Sequence, residues 1–192
     1  AKPVAALAAD VRRAIAQGRA VHYLPPYRGE TKLQLADMLG IAAGMLHDRK
    51  SLDLLFAVAE MRESKGAEEI AALEEAFGIG YRMHTTAMRL TRAGRGEHEI
   101  AGAVDGVAMS YGTGVSFSTI LSQHGEVLHN HDHTGILEDG RLLLCDAGGE
   151  HLNNYVSDHT RTFPVSGRFT QKQKDIYNIV LAAHDKAEAA LH

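Results

Sequence analysis

Residues 142–164, LLLCDAGGEHLNNYVSDHTRTFP, contain two candidate strands separated by a polar tip. The first, Arg141 to Asp146, is an apolar run that closes on a carboxylate. The second, Ser157 to Val165, is rich in β-branched and aromatic residues and carries Asp158 inside it. Pairing the two as antiparallel neighbours brings Asp146 and Asp158 towards each other. Two ionised carboxylates in one place suit a hard divalent cation such as Mn, Mg or Ca, and would be costly to bury without one. Taken alone, Asp146 reads as a turn former at the end of a strand. Asp158 is harder to place that way, because Asp is unfavourable among β-formers unless it has a partner, and Arg161 could supply one structurally.

Upstream, the texture is helical. Val4, Leu7, Ala8, Val11 and Ile15 share one face of a helix over Val4 to Gln17. Ala20 to Leu24 suits a strand stopped by Pro25 and Pro26, and Thr31 to Leu46 is again helical. Ala67 to about Arg92 spaces Ile70, Leu73, Phe77 and Tyr81 for a long helix, despite the propensity cost of Gly78 and Gly80. Glu97 to about Ser110 is a second helix, with Ile100, Val104, Val107 and Ala108 on one face. After Gly112 and Gly114, residues 115–120 and Val127-Leu128 are strand-like. Thr170 is a natural N-cap for a helix over Gln171 to Ala190. Helices, then antiparallel strands, then a helix argue an α+β fold.

Twelve histidines are many for 192 residues, and several fall between His124 and His159. His129, His131 and His133 alternate, so an extended strand would present all three on one face, where imidazoles could bind zinc. The stretch HNHDH is one residue too short for the HxHxDH motif of metallo-β-lactamase-like hydrolases. His131 and His133 are expected to face solvent.

A net charge of −4, with no Lys/Arg stripe, argues against nucleic acid as a partner. No apolar stretch approaches the roughly 20 residues that span a bilayer. The opening AKPVAALAADVRRAIAQG is interrupted by charge too early for a signal peptide. Cys145 is the only cysteine, so no internal disulfide can form and a reducing, cytoplasmic setting is expected. Neither Gly78-Ile79-Gly80 nor Gly112-Thr113-Gly114 completes a dinucleotide-binding motif.

From about Met61 onward the chain resembles the creatinase and aminopeptidase P branch of metallopeptidase family M24, the pita-bread fold. The resemblance rests on MRESKGAEEIAALEEA (61–76), GRGEHEIA (94–101), SFSTILSQHGEVLHN (116–130), DAGGEH (146–151) and SDHTRTFPVSGRFTQKQKDIYNIVL (157–181). It implies that residues 61–192 are the first half of a pita-bread catalytic domain, and residues 1–60 the end of a smaller α/β N-terminal domain. By the same resemblance Asp146 and Asp158 are two of five ligands to two divalent ions, Mn first and Zn or Co next. Asp158 would bridge the ions, and His129 would stabilise the tetrahedral intermediate. The implied reaction is metal-assisted hydrolysis at an Xaa-Pro bond of a proline-containing peptide. An Xaa-Pro aminopeptidase is the first reading. The alternatives are an Xaa-Pro dipeptidase (prolidase) and a non-catalytic pita-bread binding protein. A homo-oligomer, a dimer, is expected of the full enzyme.

Two departures matter. Eleven residues separate Asp146 from Asp158, where the family more often has ten. An extra residue inside a strand would turn one Asp away from the other, whereas one in the tip around His151 to Asn154 would not. Beyond Asp158 there is no His-Gly motif and no ligand-like glutamate before His192, since Glu188 belongs to the final helix. The chain is therefore expected to be an N-terminal or internal fragment that does not complete the metal site alone.

Overall fold

The computed structural model describes residues 3–191. They form two compact units, divided after Lys65.

In the first unit a 3-10 turn leads into α1 (Leu7–Ala16), followed by α2 (Gly29–Leu39) and α3 (Leu52–Glu63). Gly40 ends α2 in the left-handed region at φ 68°, so the helix expected to run to Leu46 stops early and only a 3-10 turn, Ala43–Met45, follows. Ser51 caps α3 by accepting from the Leu54 amide at 3.2 Å. The strand expected at Ala20 to Leu24 does not form. A strand needs a neighbour for its amides, and no strand lies in this unit among the described residues. The segment is instead tied irregularly, the Ser51 amide donating to the Tyr23 carbonyl and the Tyr23 hydroxyl to the Leu46 carbonyl.

In the second unit, α4 (Ala67–Leu90) and α5 (Glu97–Tyr111) are followed by five strands and α6 (Gln171–Ala189). The strands are β1 (Gly114–Val115), β2 (Ile120–Ser122), β3 (Leu142–Ala147), β4 (Gly149–Glu150) and β5 (His159–Pro164). Glu68 and Glu69 favour the α4 N-terminus, where Glu69 accepts from the Gly66 amide at 2.9 Å. Thr170 and Gln173 form a reciprocal cap at the start of α6. β2, β3 and β5 make an all-antiparallel sheet in that order, and β4 follows β3 after Gly148 to pair with β1.

Burial along β3 alternates. Leu143, Cys145 and Ala147 are fully buried, and Leu142, Leu144 and Asp146 are half-buried. The buried set packs on one side of the sheet with Ile79, Met83 and Ala87 of α4 and Ile100, Ala101, Val104 and Ala108 of α5. Burying such a set contributes roughly 1.5–3 kcal/mol per large side chain. It also settles which side of β3 carries Asp146: the side away from α4 and α5. No helix among the described residues is long and apolar enough to cross a membrane.

Candidate metal centre

The register places the two aspartates. Asp146 pairs with Thr160 and Ala147 with His159. The same ladder continues beyond the named strands: the Ser157 amide donates to the Gly149 carbonyl at 3.0 Å, Glu150 bridges to Val156, and the His151 amide donates to the Tyr155 carbonyl at 2.9 Å. The turn 152–154 closes this hairpin, with Asn154 left-handed at φ 64°. The register is the same on both sides of Gly148, so the eleven-residue spacing is absorbed at the tip. Continued one step past Ala147–His159, the register sets Asp158 opposite Gly148 and diagonal to Asp146; since Ser157 and His159 both lie against Gly80 of α4, Asp158 between them turns away from α4, as Asp146 does. Such diagonal positions lie about 7–8 Å apart, a gap that two carboxylates sharing one or two ions can span.

Asp158 stands one residue ahead of β5, where the sequence had suggested a place inside the strand. The ladder is displaced there by side-chain bonds: Ser157 Oγ accepts from the Gly149 amide, and Ser116 Oγ donates to the Ser157 carbonyl. Arg161, the structural partner the sequence offered for Asp158, donates instead to the Thr160 carbonyl at 2.8 Å. Asp158 is exposed. Asp146 is half-buried, and its Oδ1 is a buried oxygen without a hydrogen-bond partner. A buried carboxylate oxygen of this kind is costly unless something positive faces it. The donor chemistry, two carboxylates on one face with one oxygen orphaned, fits a divalent cation. No group of three or more His, Cys, Asp or Glu among the described residues converges on a metal position.

The histidines sit differently from expectation. Val127-Leu128 is not a strand: the Val127 amide donates to the His124 carbonyl in a turn, and His129 is left-handed at φ 52° and exposed. Asn130 and Asp132 fold the following residues by accepting from the amides two positions on, at 3.0 Å each. Side-chain acceptors that satisfy the backbone locally remove the need for a strand partner, so the three-histidine face never forms. His131 is exposed as expected, whereas His133 is half-buried and donates from Nδ1 to the Leu121 carbonyl at 3.1 Å. No hydrogen bond ties His129 to either aspartate.

Two groups that the sequence reading did not single out shape this region. Glu97, almost fully buried at the start of α5, accepts from the Gln123 amide at 2.7 Å and from Ser122 Oγ at 3.2 Å. The Gln123 side chain then donates to the Ile136 carbonyl and accepts from the Glu138 amide, closing the His129 loop at its base. His84, on the buried face of α4, is the second; a histidine amid Ala76, Ile79, Met83 and Ala87 was the available signal. Burial lowers its pKa against the opposing pull of the Ala147 and His159 carbonyls. Burial, with Arg161 adding, lowers that of His159. The Cys145 thiol is pushed up to about 12, mainly by burial, with the carboxylates of Asp146 and Asp105 adding to it.

The family model for metallopeptidase family M24 matches residues 71–192, more than half of the chain. The chain belongs to this family. It is 42% identical over 127 residues to an Xaa-Pro aminopeptidase of Escherichia coli, covering 65% of this chain and 29% of that relative. Among solved structures it resembles zinc-substituted E. coli aminopeptidase P in complex with product, at TM-score 0.73 and 30% identity, covering 93% of this chain and 43% of that one. It also resembles the prolidase of Pyrococcus furiosus, at TM-score 0.63 and 31% identity, covering 69% and 40%. The α+β arrangement is part of the pita-bread fold of M24 peptidases. The chain spans about a third of the length of the curated relatives it matches.

Proposed function

We propose that the protein carrying this chain is a divalent-metal-dependent Xaa-Pro aminopeptidase, with Asp146 and Asp158 as two of its metal ligands. The observation that carries the proposal is the orphaned, buried Asp146 Oδ1, on the same face as Asp158 within the family match. The orphaned oxygen also counts against a pita-bread protein that binds peptides without metal, because no protein donor compensates it. Residues 61–192 then form the first half of the catalytic domain, and residues 1–60 the end of a preceding one.

Bound divalent ions, manganese in the first instance, would supply Lewis-acid polarisation and an activated water. The chain's own residues do the rest. The shared register of β3 and β5 would hold the two carboxylates at one diagonal before metal arrives. His129, on a loop pinned at its base by Gln123, supplies an imidazole donor to the oxyanion that develops on the carbonyl before proline. Its exposed position is that of a free enzyme, in which catalytic hydrogen bonds tighten only with substrate. The lone buried thiol accords with a cytoplasmic setting, and a dimer is the proposed assembly.

The full-length polypeptide with Mn2+ should release the N-terminal residue from Ala-Pro-Ala, and the 192-residue chain alone should not. Turnover by the purified chain would contradict the count of ligands. The prolidase likeness favours one second reading, an Xaa-Pro dipeptidase. Cleavage of Ala-Pro but not Ala-Pro-Ala would establish that reading instead.

A further inference from the structure

We propose that His84 is a positioning residue that sets the spacing of Asp146 and Asp158; the inference rests on those two being the metal ligands. The argument begins in α4. Gly80 and His84 lie one turn apart on the helix face that packs against the hairpin. A Cβ at position 80 would come within 2.9 Å of both Ser157 Oγ and His159 Nδ1. The missing side chain therefore lets the 157–159 segment lie directly on the helix. The close approach delivers His84 to one place in the ladder, the pair formed by Ala147 and His159.

Each member of that pair is bonded to a candidate ligand: Ala147 follows Asp146, and His159 follows Asp158. His84 Nε2 donates to the Ala147 carbonyl at 3.3 Å. The two rings, of His84 and His159, meet edge-on at 6.3 Å and 80°, and Phe77 also meets His159 edge-on at 5.2 Å. One buried imidazole thus holds the β3 main chain beside Asp146 and packs its ring against the side chain of His159, the residue after Asp158. Simple filling would be served better by Leu, because His84 buries an Nδ1 that has no partner. A donor that fixes the main chain next to a ligand acts on the metal as outer-shell partners do, and loss of such partners costs about 10–100-fold in affinity.

The test uses the full-length polypeptide, freed of metal, with Mn2+ binding followed by electron paramagnetic resonance. His84→Leu keeps the volume and removes the donor, whereas His84→Gln keeps an amide donor at the reach of Nε2. His84→Leu should weaken Mn2+ binding about 10–100-fold with an unchanged circular dichroism spectrum, and His84→Gln should stay near the parent. Should His84→Leu fail to fold, His84→Asn, whose amide stops short of the Ala147 carbonyl, takes its place against His84→Gln. A donor-less variant that binds Mn2+ like the parent overturns the proposal, as does a His84→Gln variant as weak as the donor-less one. Asp146→Ala is the control. If it too binds normally, the metal-site reading falls; if it loses binding while the donor-less variant keeps it, only the role of His84 falls.

Discussion

Two glycines two residues apart in α4 should respond oppositely to the same change. Gly78 is exposed, and a Cβ there meets nothing within 4 Å, so Gly78→Ala gains the helix-propensity difference of about 0.8–1.0 kcal/mol. Gly80→Ala gains the same propensity, but its Cβ would lie 2.9 Å from Ser157 Oγ and His159 Nδ1 and 3.0 Å from Ser157 Cβ. Ser157 is fully buried and bonded to Gly149, so it cannot step aside freely. Overpacking of this kind costs about 1–3 kcal/mol, leaving Gly80→Ala between neutral and about 2 kcal/mol destabilised. At about 2–5 °C per kcal/mol for a unit of this size, Gly80→Ala should melt at least about 2 °C below Gly78→Ala in parallel thermal scans. It should also weaken Mn2+ binding, because the displaced segment carries Asp158. Equal melting temperatures would refute the claim that the hairpin is seated on α4 through Gly80.

Other consequences follow from the same contacts. With its pKa raised to about 12, Cys145 should not react with a disulfide reagent at pH 8 until the chain unfolds, which a thiol assay with and without denaturant reads directly. His84 has a lowered pKa, so the unfolded chain takes up its proton first as pH falls; metal-free stability should hold above about pH 6.5 and decline below it in urea titrations. In the full-length enzyme, His129→Ala should lower kcat by about a hundredfold or more while Mn2+ content stays near parental. Loss of metal with unchanged turnover per bound ion would assign His129 to the metal instead.

The elements that pack locally could be read from the chain. The period of α4 and α5, and the Thr170 cap of α6, are written in side chains that act within one or two turns. The apolar run ending at Asp146 marked β3 because strand burial alternates at every residue. What escaped depended on partners distant in sequence. Ala20 to Leu24 had strand composition but no neighbour to pair with, and Val127-Leu128 gave way to a turn in which the Val127 amide donates to the His124 carbonyl. His84 and Glu97 looked like isolated polar residues on helices. Their partners, the Ala147 carbonyl and the Gln123 amide, lie 63 and 26 residues away, which no local period encodes.

The most direct test of the central claim is Mn2+ binding by the full-length polypeptide with Asp146→Asn and Asp158→Asn, followed by electron paramagnetic resonance. Each substitution keeps the shape and removes the charge. The account predicts that each weakens binding by more than the roughly 10–100-fold that removal of an outer hydrogen-bond partner costs, and that neither disturbs the fold, since both residues lie outside the packed core. Parental affinity in both variants would contradict it.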